Sequence, residues 1–188
     1  MRNAISEIVC EKRKPQALLI GAALALIMIS ASCGYRLSGR GGLVPEGARS
    51  ISIPVFMNGT SEPYVDADVT QAAIEEFLSD GRLRVASLED ADLALRGKIV
   101  RFEVAALSYS SDSYVQQYRV RLVVDASLED RRTRKILWQE RGIEAIFISD
   151  YPVALGDVRT TKISKETAVM KASQDIAWTL RSRVLEGF

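Results

Sequence analysis

The spacing of hydrophobic and polar positions changes several times along the chain, and each change marks an element. Residues 17–29 are an apolar run behind the basic cluster Lys12, Arg13 and Lys14, and they lead into Ser30, Ala31, Ser32 and Cys33. A period of two begins at Ile51: Ile51, Ile53 and Val55 alternate with Ser52 and Pro54, which predicts a strand with one buried face. Pro54 has no N–H for a ladder, so this strand is expected at an edge, or with the proline on its unpaired side. Asn58, Gly59, Thr60 and Pro63 turn the chain.

Helical spacing follows, with Val69, Ala73 and Phe77 flanked by Ala72 and Leu78, Asp66 or Asp68 as the cap and Gly81 as the stop. Leu83 and Val85 make a short strand. The order strand, helix, strand points to a right-handed crossover with the two strands parallel.

Three long strands come next. Leu93, Leu95, Gly97 and Ile99 share one parity and Val100, Phe102 and Val104 the other, so a bulge is expected near Ile99. The alternation from Tyr118 through Val120, Leu122, Val124, Ala126 and Leu128 is the most regular in the chain and predicts a half-buried antiparallel strand. After a charged turn at residues 130–135, Ile136, Leu137 and Trp138 begin a third strand continuing through Ile143, Ala145 and Phe147, so that the two make a hairpin.

Tyr151, Pro152 and Gly156 read as a loop. A last helix is expected from Ser164 to Gly187, marked by Val169, Ala172, Ile176, Leu180 and Val184. Trp138 and Trp178 lie on apolar faces and are expected in the core. The fold class that results is α+β: a two-layer sandwich of two helices on one face of a mostly antiparallel four- to five-stranded sheet.

The first apolar run has 13 residues, about 20 Å as a helix against a hydrocarbon core of about 30 Å. Small residues before a cysteine read as a lipoprotein signal peptide over residues 1–32 with lipid placed on Cys33; an uncleaved inner-membrane anchor and a free buried Cys33 are the alternatives. Residues 33–49 carry Gly39, Gly41, Gly42 and Gly47 and read as a flexible tether, and residues 50–188 as a single domain.

Composition narrows the chemistry. Without residues 1–32 the chain holds 21 basic and 22 acidic residues, so no global charge draws it to nucleic acid. It contains no histidine and only two cysteines, Cys10 and Cys33. This removes the usual general base, the usual metal ligand and any disulfide within the exported part. No catalytic residue, metal site or cofactor is expected. The acidic pairs Glu75, Glu76 and Glu89, Asp90 are neighbours in sequence and diverge, unlike the facing carboxylates of a glycosidase.

Several stretches resemble a known family. Cys33, Gly34, Tyr35, Arg36, Leu37, Ser38 and Gly39 are similar to the C-G-Y-x-L-x-G opening of the LptE family of outer-membrane lipoproteins that assemble lipopolysaccharide. Residues 51–60, ISIPVFMNGT, are similar to its I-x-I-P-x-F-x-N-x-T segment, and residues 91–99, ADLALRGKI, to its A-D-x-x-L-x-G-x-I strand. Leu137 and Trp138 stand where the family often has L-W after a turn, and Arg134 stands where it commonly has glycine.

The resemblance implies a lipid-anchored protein on the periplasmic face of the outer membrane. It would sit inside a large outer-membrane β-barrel of the LptD type, as plug, folding partner and lipopolysaccharide contact, with no enzymatic activity. Gly34 after the cysteine agrees with outer-membrane delivery. The alternative is a general envelope lipoprotein acting as a peptidoglycan-binding or scaffolding module.

Two basic sets are candidates for lipopolysaccharide phosphates. Arg131, Arg132, Arg134 and Lys135 crowd one turn, where the bland reading is a solvated hairpin tip. Arg96, Lys98, Arg119 and Arg121 would form one patch on the helix-free face if their strands pair in the right register; the bland reading is a polar face with cross-strand pairs. Tyr109 and Tyr114, among serines between two long strands, are candidates for contact with the barrel.

Overall fold

The computed structural model describes residues 42–145 and 149–187. The segment expected to be a signal peptide, Cys33, residues 34–41 of the expected tether and Phe147 lie outside the described residues. The elements are β1 (Ser50–Ser52), β2 (Met57–Asn58), α1 (Val65–Asp80), β3 (Arg84–Val85), β4 (Leu93–Tyr109), β5 (Val115–Asp130), β6 (Lys135–Glu144), β7 (Ser149–Pro152) and α2 (Val158–Glu186).

Among the described residues the sheet has seven strands in the order β3-β1-β4-β5-β6, with β2 also on β4 and β7 also on β5. It is mixed: β1 runs parallel to β3 and to β4, and β2 parallel to β4, whereas β4, β5, β6 and β7 pair antiparallel. The predicted crossover from β1 through α1 to β3 is present. β1 is not at an edge, as Pro54 had suggested, because it ends at Ser52 and is flanked on both sides. Pro54 instead falls in the break between β1 and β2, so it costs no ladder bond, and Val55 after it is 68% exposed.

That break lets Phe56 swing under the sheet. Its ring is buried against Gly97 and its N–H donates to Thr70 Oγ1 of α1 at 3.0 Å. The Asn58 side chain then holds the following turn, accepting from the N–H and hydroxyl of Thr60 and donating to the carbonyl of Glu62. Gly59 N–H donates to the Ile99 carbonyl on β4.

Helix α1 buries Val65, Val69, Ala72, Ala73 and Phe77, one stripe at helical spacing, and leaves Leu78 exposed off that stripe. It begins at Tyr64, whose φ is 65°, without a side-chain cap; Asp66 and Asp68 lie inside the first turn and favour the helix dipole from there. Gly81 closes it in the left-handed conformation, its N–H reaching the Phe77 carbonyl.

Helix α2 starts six residues before Ser164. Asp157 caps it by accepting from Thr160 N–H, and Gly187 ends it. Its buried stripe, Ala168, Ala172, Ile176, Leu180 and Val184, lies on the same sheet face as α1. Arg181 of α2 joins the helices, with Nε 2.9 Å from Glu76 and Nη1 3.1 Å from Asp80.

Between β4 and β5 the register slips at Val100, the expected bulge, which returns Phe102 and Val104 to the helix side opposite Leu122 and Val120. A second irregularity on β6 comes at Gly142, whose φ is 71° and whose N–H donates to Asp125. Tyr151 and Pro152 are not in a loop: they belong to β7, which pairs with residues 117–120 of β5, and Tyr151 is buried against Tyr118 with ring centres 5.6 Å apart. Before β1, Leu43, Val44 and Ala48 pack on the core, and Leu43 N–H bonds the Val184 carbonyl. The described end of the segment read as tether thus packs on the domain.

Candidate functional site

The β4–β5 hairpin is longer than the layer that covers it. β2 pairs with β4 only at Lys98 and Ile99, so among the described residues the outer edge of β4 from Arg101 to Tyr109 has no strand beside it. Neither helix covers its far end. Val104, Ala105, Ala106 and Leu107 are exposed in succession, which means that both faces of β4 are open there, while Val120 and Tyr118 opposite still pack on the core. Val104, expected inside from its parity, is exposed because the strand outruns the helices.

At the tip, Tyr109 and Tyr114 are 61% and 62% exposed and flank a turn closed by the Ser110 N–H on the Tyr114 carbonyl and the Tyr114 N–H on Ser110 Oγ. The two candidate tyrosines are thus together. Leu107 and Val104 join them in the same apolar ribbon, and no signal in the sequence distinguished those two from core residues.

The second set lies on one sheet face but is spread along it. Arg96 and Lys98 face Ser127 and Asp125, while Arg121 and Arg119 face Glu103 and Ala105. On β5, Arg121 stands four positions from Asp125, about 13 Å along the strand, and Arg119 eight from Ser127, about 26 Å. Each arginine also holds a carboxylate: Arg96 Nε lies 3.3 Å from Glu129, Arg119 Nε 2.8 Å from Asp150, and Arg121 grips Glu144 through Nε and Nη2. The hydrogen bond from Arg121 keeps the Glu144 carboxyl below its ordinary range. The four residues therefore share one sheet face, as the alternation implies, but are drawn out along it, with the three arginines each on a carboxylate.

The turn between β5 and β6 keeps Arg131, Arg132, Arg134 and Lys135 together. Asp130 organises it by accepting from Arg132 N–H at 2.8 Å and Thr133 N–H at 3.1 Å, and these backbone bonds, Thr133 foremost, lower its pKa. Arg134 occupies the left-handed region with φ 59°. No ion pair within the described residues involves these four cations.

Trp138 is half-buried against the core beside Leu128. Trp178, expected inside, is 45% exposed and lines a groove of about 800 Å³ with Glu75, Lys171 and Gln174. Among the described residues, no group of three acidic side chains is placed to hold a metal ion.

A model of the lipopolysaccharide-assembly family LptE matches residues 48–184. A comparison with curated proteins finds no match. Among solved structures, the chain is similar to a minor lipoprotein from Acinetobacter baumannii at 15% identity, over 76% of this chain and 95% of that one, with a TM-score of 0.51. It is also similar to lipoprotein B from Nitrosomonas europaea at 18% identity, over 78% and 88% of the two chains, with a TM-score of 0.45. At such identities the likeness to the first extends to the fold alone. The family match spans most of the chain and takes in every described strand and nearly all of both helices, so the chain belongs to the LptE family of lipopolysaccharide-assembly lipoproteins, a family without enzymatic activity.

Proposed function

We propose that the protein is anchored through lipid on Cys33 at the periplasmic face of the outer membrane. From there it enters a large β-barrel of the LptD type, assists the barrel's assembly and supports delivery of lipopolysaccharide to the cell surface. The observation that carries this reading is the uncovered β4–β5 ribbon. Val104, Leu107, Tyr109 and Tyr114 together present an apolar surface with hydroxyl ends, and the adjoining edge of β4 offers unpaired backbone groups. Aromatic side chains of this kind suit a partly wet protein wall.

Arg119 and Arg121 lie at the root of the same ribbon, and we assign contact with lipopolysaccharide phosphates to them. Each uses Nε and Nη2 on its carboxylate. A guanidinium has five N–H donors, so both retain donors for a phosphate while the carboxylate holds the plane in position. Arg96 and Lys98, about 13 Å or more farther along the strand, make a separate and weaker candidate.

The test is detergent extraction and affinity capture of the tagged full chain, carrying Leu107→Asp and Tyr109→Asp together. Both positions are exposed, so the variant keeps its stability within about 0.5 kcal/mol. It loses the barrel from the captured material, whereas the unsubstituted chain retains it. Capture of the barrel in undiminished yield by a folded variant would sink this reading of the ribbon. Palmitate labelling lost in Cys33→Ser checks the anchor separately.

A further inference from the structure

We propose that the end of the sheet opposite the ribbon is a surface that rests on anionic phospholipid headgroups. It is formed by Arg49, Arg84, Arg131, Arg132, Arg134 and Lys135. The proposal rests on the anchored reading above and adds the face that the domain turns to its own leaflet.

The topology brings these six together. Arg84 of β3 pairs with Ser50, next to Arg49; Leu93 of β4 pairs with Asp130, next to Arg131; and Asp130 pairs with Lys135 of β6. At about 4.8 Å between strands, the row crosses the whole end of the sheet in about 20 Å. Arg131 N–H bonds the Asp92 carbonyl and Arg84 N–H the Arg49 carbonyl, which ties the turns to one another.

The charge of Arg132 acts on Asp92 and Asp130 nearby, but the cations of this row make no salt bridge among the described residues. Most other arginines of the domain have one, including Arg82, Arg96, Arg119, Arg121 and Arg181. None of the six forms an ion pair among the described residues, although Asp92 and Asp130 lie among them. Those two carboxylates are taken by backbone: Asp92 accepts from the N–H groups of Arg49 and Ser50 and from Ser50 Oγ, and Asp130 from those of Arg132 and Thr133. Arg131 Nε, shielded from water, has no acceptor. A row of cations, five exposed and Arg131 half-buried, without salt bridges among the described residues complements a plane of phosphates better than it complements one small ligand.

The chain also enters the domain at this end, since residues 42–49 lead directly into β1. Gly42 is nine residues from Cys33, at most about 32 Å of extended chain. An anchor at Cys33 would therefore hold this end, and not the ribbon, within reach of the leaflet. Each cation near such a surface raises membrane partitioning by about fivefold, an effect that decays within about 8 Å at physiological salt.

The experiment uses the full chain, processed and purified from membranes. It is reconstituted in vesicles of phosphatidylcholine alone or of phosphatidylcholine with phosphatidylglycerol, with a fluorophore on Thr133→Cys and brominated lipid as quencher. Quenching is expected to be several-fold stronger in the anionic vesicles. It is expected to fall to the neutral level in high salt and in the triple variant Arg132→Glu, Arg134→Glu, Lys135→Glu. Equal quenching in both compositions, or quenching unchanged by the triple variant, would overturn the proposal. Glu89→Cys, exposed in a neighbouring turn at the same end, supplies a second label should the first disturb the hairpin. Retention of protein in the vesicles and palmitate incorporation report on the anchor, so its failure is seen apart from a failure of the basic row.

Discussion

Gly97 lies directly beneath the ring of Phe56: a Cβ on Gly97 would stand 2.3 Å from two of the ring carbons. The two residues come from different strands' neighbourhoods, one from the break before β2 and one from the middle of β4, and their contact closes the core between sheet and α1. Gly97→Ala is expected to destabilise the domain by about 1–3 kcal/mol through overpacking, and Phe56→Ala by about 3–5 kcal/mol through the void it leaves. The two effects should not add. In a Phe56→Leu background the penalty of Gly97→Ala shrinks, because a smaller side chain leaves room for the methyl group. Urea unfolding of the four proteins measures the coupling, and strict additivity would mean that the contact is not what makes alanine costly.

The join between α1 and α2 makes stability sensitive to acid. Asp80 has a pKa lowered from 3.8 to about 2, first by its side-chain hydrogen bond from Arg82 and further by Arg181. Its side chain is 10% exposed, but that of Arg82 is 48% exposed, so solvent screens part of the interaction. A carboxylate whose folded pKa lies below its unfolded value stabilises the fold above the unfolded pKa. That contribution fades as pH falls from about 4 to about 2. Asp80→Asn should cost about 1–2 kcal/mol near neutral pH and flatten the acid limb of the stability curve. Unfolding midpoints measured across that limb test this; an unaltered slope would place the acid sensitivity elsewhere.

Features with a local cause are written in the sequence, and those set by distant partners are not. The alternation of Tyr118 to Leu128 was legible because one face of that stretch of β5 is turned to the core, with Val120, Leu122, Val124, Ala126 and Leu128 buried, and the slip at Val100 was legible because parity changed on both sides of it. Gly81 and Gly187 were legible as helix ends because the left-handed conformation favours glycine. What depended on a partner far along the chain was not. Pro54 suggested an edge, yet β1 stops two residues before it and is central. Tyr151 and Pro152 carried no strand pattern of their own and are ordered by β5. The start of α2 was hidden because its capping residue, Asp157, precedes Thr160 and Thr161, which are poor helix formers, and an exposed Ile163. For Arg96, Lys98, Arg119 and Arg121, alternation assigned the right face but neither the distance along it nor the carboxylates that the three arginines hold.

Arg134 is an L-residue in a glycine conformation, with φ 59° at the end of the turn that Asp130 organises. Holding a side chain there costs about 1 kcal/mol relative to glycine. Arg134→Gly is therefore expected to raise stability by about 0.5–1 kcal/mol, whereas Arg134→Ala, which keeps the Cβ and removes the same charge, should not. Gly142, with φ 71° and its N–H bonded to Asp125, is the opposite case on the neighbouring strand, and Gly142→Ala should lose about 1 kcal/mol. Thermal or urea unfolding of the three variants separates backbone strain from charge. If alanine at 134 stabilises as much as glycine does, relief of crowding among the turn's cations is the cause, and the left-handed backbone carries no penalty that matters.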